Sequence, residues 1–96
     1  MWTGVIRTAD CDAYREYLEQ TGLREYRETP GNLEAIALYR ALDADRTEVV
    51  TISKWISRES IVAFAGEDIS KAVYYPEDEG YLLAHDDTVK HYDIVE

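Results

Sequence analysis

The sequence predicts a single α+β domain, residues 1–96, with four strands and two helices in the order β-α-β-β-α-β. Two observations predict this fold class. Apolar residues recur at helical spacing in two segments, and four runs with strand character lie around them, separated by Gly, Pro and charged turns. This is the ferredoxin-like order, in which an antiparallel sheet carries both helices on one face.

The first strand and the first helix occupy the N-terminal third of the chain. Residues 2–8 are typical of a strand, and Asp10 is expected to cap the following helix because its carboxylate can accept free backbone N–H groups. The apolar face of that helix has spacings of three and four residues and consists of Tyr14, Tyr17, Leu18 and Thr21. Gly22 is its natural end, residues 23–28 are expected to add a further helical turn, and the sequence Pro-Gly-Asn at 30–32 breaks the chain.

The two central strands are expected at residues 33–42 and 47–56, joined as a hairpin by the polar turn 43–46. Both strands are apolar on both registers: Ile36, Leu38 and Leu42 against Leu33, Ala35, Ala37, Tyr39 and Ala41 in the first, and Val50, Ile52 and Ile56 against Val49 and Trp55 in the second. A sheet face in water should be polar at every second position, so the face without helices needs a cover. A second copy of the chain, packed sheet against sheet, is the economical cover and predicts a homodimer.

The second helix is expected to begin at a Ser57 cap and to present an apolar stripe at 61, 64 and 65. Gly66 ends or kinks it, helical spacing continues over 69–73, and Pro76 stops it. Residues 77–80 are predicted to be a solvated loop, and residues 89–95 the last strand.

Composition excludes several classes of function. The formal net charge is −10, from 20 acidic and 10 basic residues. Nucleic acids and anionic membranes attract positively charged proteins, so neither is an expected partner. Cys11 is the single cysteine, which excludes an intrachain disulfide and a zinc site built from cysteines, and no metal is expected. The sequence shows no signal-peptide pattern and no run near the ~20 apolar residues of a membrane span, so the expected location is cytoplasmic.

Six stretches together resemble one known family. They are WTG at 2–4, PGN at 30–32, WISRESI at 55–61, FAGEDI at 64–69, AVYYPED at 72–78 and VKHY at 89–92. In this order and spacing, and over essentially the whole chain, they are similar to small bacterial members of the antibiotic biosynthesis monooxygenase family.

The resemblance implies a dimeric α+β barrel with a small-molecule pocket in each subunit, between sheet and helices. Characterised members oxidise aromatic polyketide or quinol-type molecules with O₂ and no cofactor, and others in the superfamily degrade haem. The haem-degrading branch uses an Asn on the first strand, a Trp on the second helix and a later haem-ligating His. Here the first strand has no Asn, and the other two positions fall on Phe64 and Tyr74, so haem degradation is not expected.

His91 is the candidate catalytic residue. A neutral imidazole is the right group to take a proton from a phenol or an activated C–H, and cofactor-free oxygenation needs the resulting electron-rich anion. A structural histidine at the sheet or at a dimer interface is the alternative. His85, in the sequence His-Asp-Asp at 85–87, is interpreted as part of a solvated loop.

Four aromatic side chains, Trp2, Trp55, Phe64 and Tyr74, are candidates for the wall of a substrate pocket, and Tyr92 is a candidate hydrogen-bond donor to a substrate. The alternative for these residues is ordinary core packing.

Two functions remain open at this point. The first is a cofactor-independent, monooxygenase-like enzyme that acts on a small aromatic or quinol-type molecule. The second is a non-catalytic dimer that binds a small molecule or assists a pathway. Open access to His91 and to a tyrosine favours the first function, and a sealed pocket favours the second.

Overall fold

The structure, a computed structural model, describes residues 1–95. A 3₁₀ turn at Thr8–Asp10 follows the first strand, and the elements are β1 (Trp2–Arg7), α1 (Cys11–Gln20), α2 (Gly22–Glu28), β2 (Asn32–Ala41), β3 (Arg46–Trp55), α3 (Arg58–Ala65), α4 (Asp78–Tyr81) and β4 (Leu82–His85). The strands form one antiparallel sheet in the order β2-β3-β1-β4. The predicted α+β class is confirmed, and the antiparallel sheet is compatible with a ferredoxin-like fold.

The core lies between α1, α2 and one face of the sheet. Strand register places Gly4 opposite Val49 and Ile6 opposite Thr47, so these side chains share that face. The buried cluster consists of Ile6, Tyr14, Leu18, Leu23, Ala35 and Val49. The predicted helical face is confirmed at Tyr14 and Leu18, because both side chains are buried on α1.

Gly4 allows a large ring to lie across β1. A Cβ atom at this position would be 2.5 Å from the Trp2 indole, which is too close for any side chain. The indole therefore folds over Gly4 and points towards the segment that follows α3, where it meets Tyr74. The absence of a side chain at residue 4 thus helps to position an aromatic wall.

Two predicted helix caps have different outcomes. Ser57 caps α3 as expected, since its hydroxyl accepts a hydrogen bond from Ser60 N at 3.3 Å. Asp10 precedes α1 but makes no capping bond, so that prediction is wrong. Its carboxylate lies 3.7 Å from the Arg7 guanidinium instead, and a 3₁₀ turn leads the chain into the helix.

The predicted continuation of the second helix beyond Gly66 is wrong. Gly66 has a φ of +89°, which ends α3, and the Asp68 carboxylate then accepts a hydrogen bond from Ser70 N in a local turn. The following segment is extended and pairs with residues 87–89, with Lys71 opposite Thr88. Helical spacing over 69–73 was misleading because the turn chemistry at 66–70 dominates it.

The last strand also differs from its prediction. The position beside β1 is taken by β4 at Leu82–His85, whereas no strand is assigned in residues 89–95. Residues 77–80, predicted to be a solvated loop, contribute to α4, and Asp78 is buried at 8% exposure. The apolar run at 81–84 pairs with β1 in place of the alternating residues 89–95, because it reaches the β1 edge directly after a one-turn helix.

The sheet face away from the helices is apolar at its centre, as the pattern of the two central strands predicted. Ile36 is 36% exposed and Leu38 49% exposed, and they pair with Ile52 and Val50. Val5 on β1 lies on the same face, since Val5 pairs with Glu48. Two cross-strand ion pairs flank this apolar band: Lys54–Glu34 at 3.2 Å and Arg40–Glu48 at 3.1 Å.

Candidate functional site

An aromatic cavity, the inner cavity, lies between the sheet and the helices where the resemblance places a pocket. Its wall includes Trp2, Tyr14, Tyr26, Phe64, Tyr74 and Asp78. Its volume is about 50 Å³, which is enough for bound water. Sites for drug-sized ligands have about 300–1,000 Å³. In this conformation the inner cavity is therefore too small for a polycyclic aromatic molecule.

Trp55 and Phe64 belong to a second part of that core. The Phe64 ring stacks on Tyr26 with centroids 4.4 Å apart, and Trp55 packs edge-on against Tyr26 at 5.9 Å. The Trp55 indole N–H donates to Ser53 Oγ at 2.9 Å. Burial raises the pKa of the Tyr26 phenol, so it stays protonated at neutral pH.

His91 lies at the edge of this aromatic cluster, next to Trp55. Its Nε2 is 2.6 Å from the Ile69 carbonyl oxygen, and a carbonyl can only accept, so Nε2 carries the proton. In the neutral imidazole, Nδ1 is then the free acceptor. The backbone carbonyl thereby fixes both the ring orientation and the tautomer, which is how enzymes commonly orient a histidine base.

The tail groove is a larger, open depression beside His91. It is bounded by the end of β3, the start of α3 and the chain after residue 89, and its volume is about 440 Å³. Trp55, His91 and Tyr92 all line it. Tyr92 is 67% exposed there. Three of the predicted site residues thus come together in the tail groove, whereas Trp2, Phe64 and Tyr74 line the inner cavity.

Cations converge on the tail groove although the chain is strongly acidic. Lys54, Arg58 and Lys90 line it, and Asp93 is its single carboxylate among the described residues. Of the three cations, Lys54 is already paired with Glu34 at 3.2 Å. The Arg58 guanidinium lies 3.5 Å from the Asp93 carboxylate at the exposed rim. The sequence did not reveal this cluster because its members are separated by up to 36 positions and only the tertiary fold brings them together.

Asp78 was also missed by sequence reasoning. Its carboxylate accepts hydrogen bonds from the Tyr17 hydroxyl and from Tyr75 N, both at 2.7 Å, and so fastens α4 to α1. Burial and then the Asp78 hydrogen bond raise the pKa of the Tyr17 phenol. Tyr75 reaches α2 in the same way, because its hydroxyl donates to the Glu25 carboxylate.

His85 lies on β4 opposite Gly4, so its assignment to a loop is wrong, whereas its predicted exposure to solvent is confirmed. Its Nδ1 is 2.6 Å from the Tyr74 hydroxyl. The apolar run that precedes His85 is the one sequence signal for a strand there.

The comparisons with known proteins give no relative: no family model, curated protein or solved structure matches the chain. In residues 1–95, no helix has the length and apolar character that crossing a membrane requires. Within the same residues, no group of three or more His, Cys, Asp or Glu is placed to hold a metal ion.

Proposed function

We propose that the protein binds a small phenol- or quinol-type molecule in the tail groove and oxidises it with O₂ without a cofactor. The observation that carries the proposal is a histidine with a fixed tautomer, His91, that lines the same groove as an indole and several cations. A groove of about 440 Å³ is within the size range of small-ligand sites. Membership of the antibiotic biosynthesis monooxygenase family is part of the proposal, and its support is the order and spacing of the six sequence stretches.

The residues of the tail groove have separate roles in this proposal. The ligand ring packs on the Trp55 indole, and His91 Nδ1 takes the phenolic or benzylic proton. Arg58 and Lys90 stabilise the anion that results, because an opposite charge nearby favours the ionised form of a ligand. Asp93 holds the Arg58 guanidinium at the rim until the ligand anion replaces it.

The chemistry balances without an external reductant. For an anthrone, the deprotonated ring passes one electron to O₂, and the two radicals then combine at the former CH₂ carbon. Loss of water from the resulting hydroperoxide leaves a C=O group, so one oxygen atom enters the product and the other leaves as water. The protein contributes deprotonation, orientation and charge stabilisation of the anion.

Binding without chemistry is the second candidate function. The hydrogen bond from His91 to the Ile69 carbonyl favours it, because the same bond also serves a purely structural histidine that ties the tail to the segment after α3. In that case the tail groove holds an anionic aromatic ligand, and the cations supply the affinity.

Oxygen uptake with an anthrone and with hydroquinone separates the two candidates. We expect wild-type uptake above buffer autoxidation, a loss of about 10²-fold or more in His91→Ala, and a raised KM in Arg58→Ala. Arg24→Ala is the matched control, since Arg24 is an exposed arginine on α2 that pairs with Glu28. Uptake at the autoxidation rate together with saturable ligand binding would select the binding function. Full activity in His91→Ala would remove His91 from the mechanism.

The second part of the proposal is that the protein is a homodimer. A second copy of the chain covers the open sheet face, which is the face away from the helices. The support is a half-exposed apolar band centred on Leu38, with the Lys54–Glu34 and Arg40–Glu48 pairs as a polar rim. An apolar centre inside a polar rim is the usual anatomy of a protein interface. An isologous two-fold contact would bring the same band of each copy together and close the assembly.

A further inference from the structure

A second depression, the Tyr74 groove, adjoins the inner cavity and shares Tyr74, Tyr75 and Asp78 with it. Its volume is about 550 Å³, and its lining residues include Tyr74, Tyr75, Asp78, Glu79, Leu82 and His85. None of its lining residues lines the tail groove. The two grooves are therefore separate sites, and a ligand of one makes no contact in the other.

The Tyr74 hydroxyl is at the centre of a hydrogen-bond network on the wall of this groove. The oxygen lies 2.5 Å from the Asp86 carbonyl and 2.6 Å from His85 Nδ1, and the Trp2 indole N–H is 3.3 Å from it. Burial raises the pKa of Tyr74, although the Trp2 hydrogen bond opposes that shift. The phenol therefore has one proton to donate at neutral pH.

This geometry determines the His85 tautomer. Two oxygens as close as those of Tyr74 and Asp86 need a proton between them, so the Tyr74 hydroxyl donates to the Asp86 carbonyl. Nδ1 of His85 must then carry a proton, because it faces the Tyr74 oxygen at 2.6 Å and the Asp86 carbonyl at 3.2 Å, and both act as acceptors towards it. In the neutral ring, Nε2 is the remaining acceptor, and no hydrogen bond between described residues engages it.

The remaining polar groups of the Tyr74 groove favour a positively charged ligand that donates hydrogen bonds. Asp78 and Glu79 are its carboxylates, and no lysine or arginine is among its described lining residues. The rings of Tyr74 and Tyr75 supply aromatic surface, which attracts flat molecules and cations. Acceptors, aromatic rings and an oriented imidazole together fit a ligand that is flat, rich in donors and positively charged.

We propose that the Tyr74 groove is a binding site for a protonated aromatic amine. The ammonium group donates hydrogen bonds to His85 Nε2 and to the Glu79 carboxylate, and the ligand ring packs against Tyr74 and Tyr75. The tail groove has the opposite polarity, since it collects Lys54, Arg58 and Lys90. The chain thus carries two sites that distinguish ligands by the sign of their charge.

Two ligands that share one ring test the proposal: tyramine, with an ammonium group, and 3-(4-hydroxyphenyl)propionate, with a carboxylate. Both are titrated into full-length protein with ¹⁵N-labelled histidine. The pH is 8, at which imidazoles are ordinarily neutral and alkylammonium groups are protonated. Nitrogen shifts report His85 and His91 separately in one spectrum, and a His85→Phe spectrum assigns them. We expect tyramine to shift the His85 signals saturably, and the propionate to leave them in place.

Variants then test the individual contacts. We expect His85→Phe to weaken tyramine binding at least tenfold, as followed by tryptophan fluorescence, to which Trp2 contributes from the same network. Glu79→Gln should weaken it several-fold, whereas its matched control Glu67→Gln, at an exposed position after α3, should not. Tyr74→Phe should lower the population of the Nδ1-protonated tautomer of His85, which a merely structural tyrosine would not alter.

Each contrary result overturns the proposal. Equal responses of His85 to the amine and the acid would remove charge selection. No shift of His85 with 10 mM tyramine, on the order of the weak affinities of small fragments, would remove the site. An unchanged tautomer in Tyr74→Phe would remove the orienting role of the hydroxyl. Because the readout is at His85, failure of oxidation in the tail groove leaves this test intact.

Discussion

Asp78→Asn and Tyr17→Phe together test whether one buried carboxylate fastens the C-terminal third of the chain to α1. Asp78 is 8% exposed and accepts two hydrogen bonds, from the Tyr17 hydroxyl and from Tyr75 N. Asparagine has nearly the same shape but only one accepting oxygen and no charge, so its NH₂ group must face either Tyr75 N or the Tyr17 oxygen, and the charged acceptor is lost at both. The substitution therefore changes hydrogen bonding with little change in packing.

The magnitude follows from the two bonds. Hydrogen bonds to a charged group contribute about 1.5–3 kcal/mol each, and a buried donor left unpaired costs about 1–3 kcal/mol. We expect Asp78→Asn to lower the free energy of unfolding by about 2–4 kcal/mol and Tyr17→Phe by about 1–2 kcal/mol. Since both substitutions act on the hydrogen bond between Tyr17 and Asp78, the double variant should be more stable than the sum predicts, with a coupling of about 1–2 kcal/mol.

Urea unfolding followed by tryptophan fluorescence, at one fixed protein concentration, measures the free energy of unfolding of the wild type, both single variants and the double variant. Tyr81→Phe is the matched control: its ring packs on Tyr17 with centroids 5.1 Å apart, and no hydrogen bond from its hydroxyl to a described residue is present. We expect this control to change stability by less than about 0.5 kcal/mol. Additive losses for Asp78→Asn and Tyr17→Phe, within the error of the extrapolation, would refute the fastening role.

Two further predictions concern the core and the open face. Tyr14 is 1% exposed, and burial, followed by the Asp78 charge, raises its pKa above the usual 10. The unfolded chain then loses this proton first, so the free energy of unfolding falls as pH rises above 10, by up to about 1.4 kcal/mol per pH unit. Tyr14→Phe should make this fall with pH less steep in alkaline unfolding curves, and an unchanged slope would contradict the prediction. Leu38→Glu should convert the dimer to a monomer in sedimentation experiments, whereas Arg24→Ala should not; a wild-type monomer would refute the dimer.

Much of the framework was predictable because local signals agreed with tertiary packing. Tyr14 and Leu18 are spaced for one helical face, and that face is buried. Ile36 and Leu38 are apolar on a register that faces away from the helices, and they remain partly exposed on the open face. The break at Gly31, where φ is +92°, was visible in the sequence Pro-Gly-Asn.

The errors lie where two plausible signals competed. The tail has strand-like alternation, but β4 at Leu82–His85 occupies the β1 edge, and an edge accepts only one neighbour. The spacing over 69–73 predicted a helix, but the turn at Gly66 and Asp68 ends the helix before this segment. The choice in each case depends on contacts between residues far apart in the chain, which periodicity does not encode.

By itself, the sequence determined the α+β class, the helical core face and the apolar open face, because burial patterns at periods of 3.6 and 2 are local properties. Only the tertiary structure decided the sites. It placed His91 beside Arg58 and Lys90, and His85 against the Tyr74 hydroxyl. Charge clusters and oriented histidines arise from residues that are distant in the chain, so they exist only once the fold has brought them within hydrogen-bonding distance.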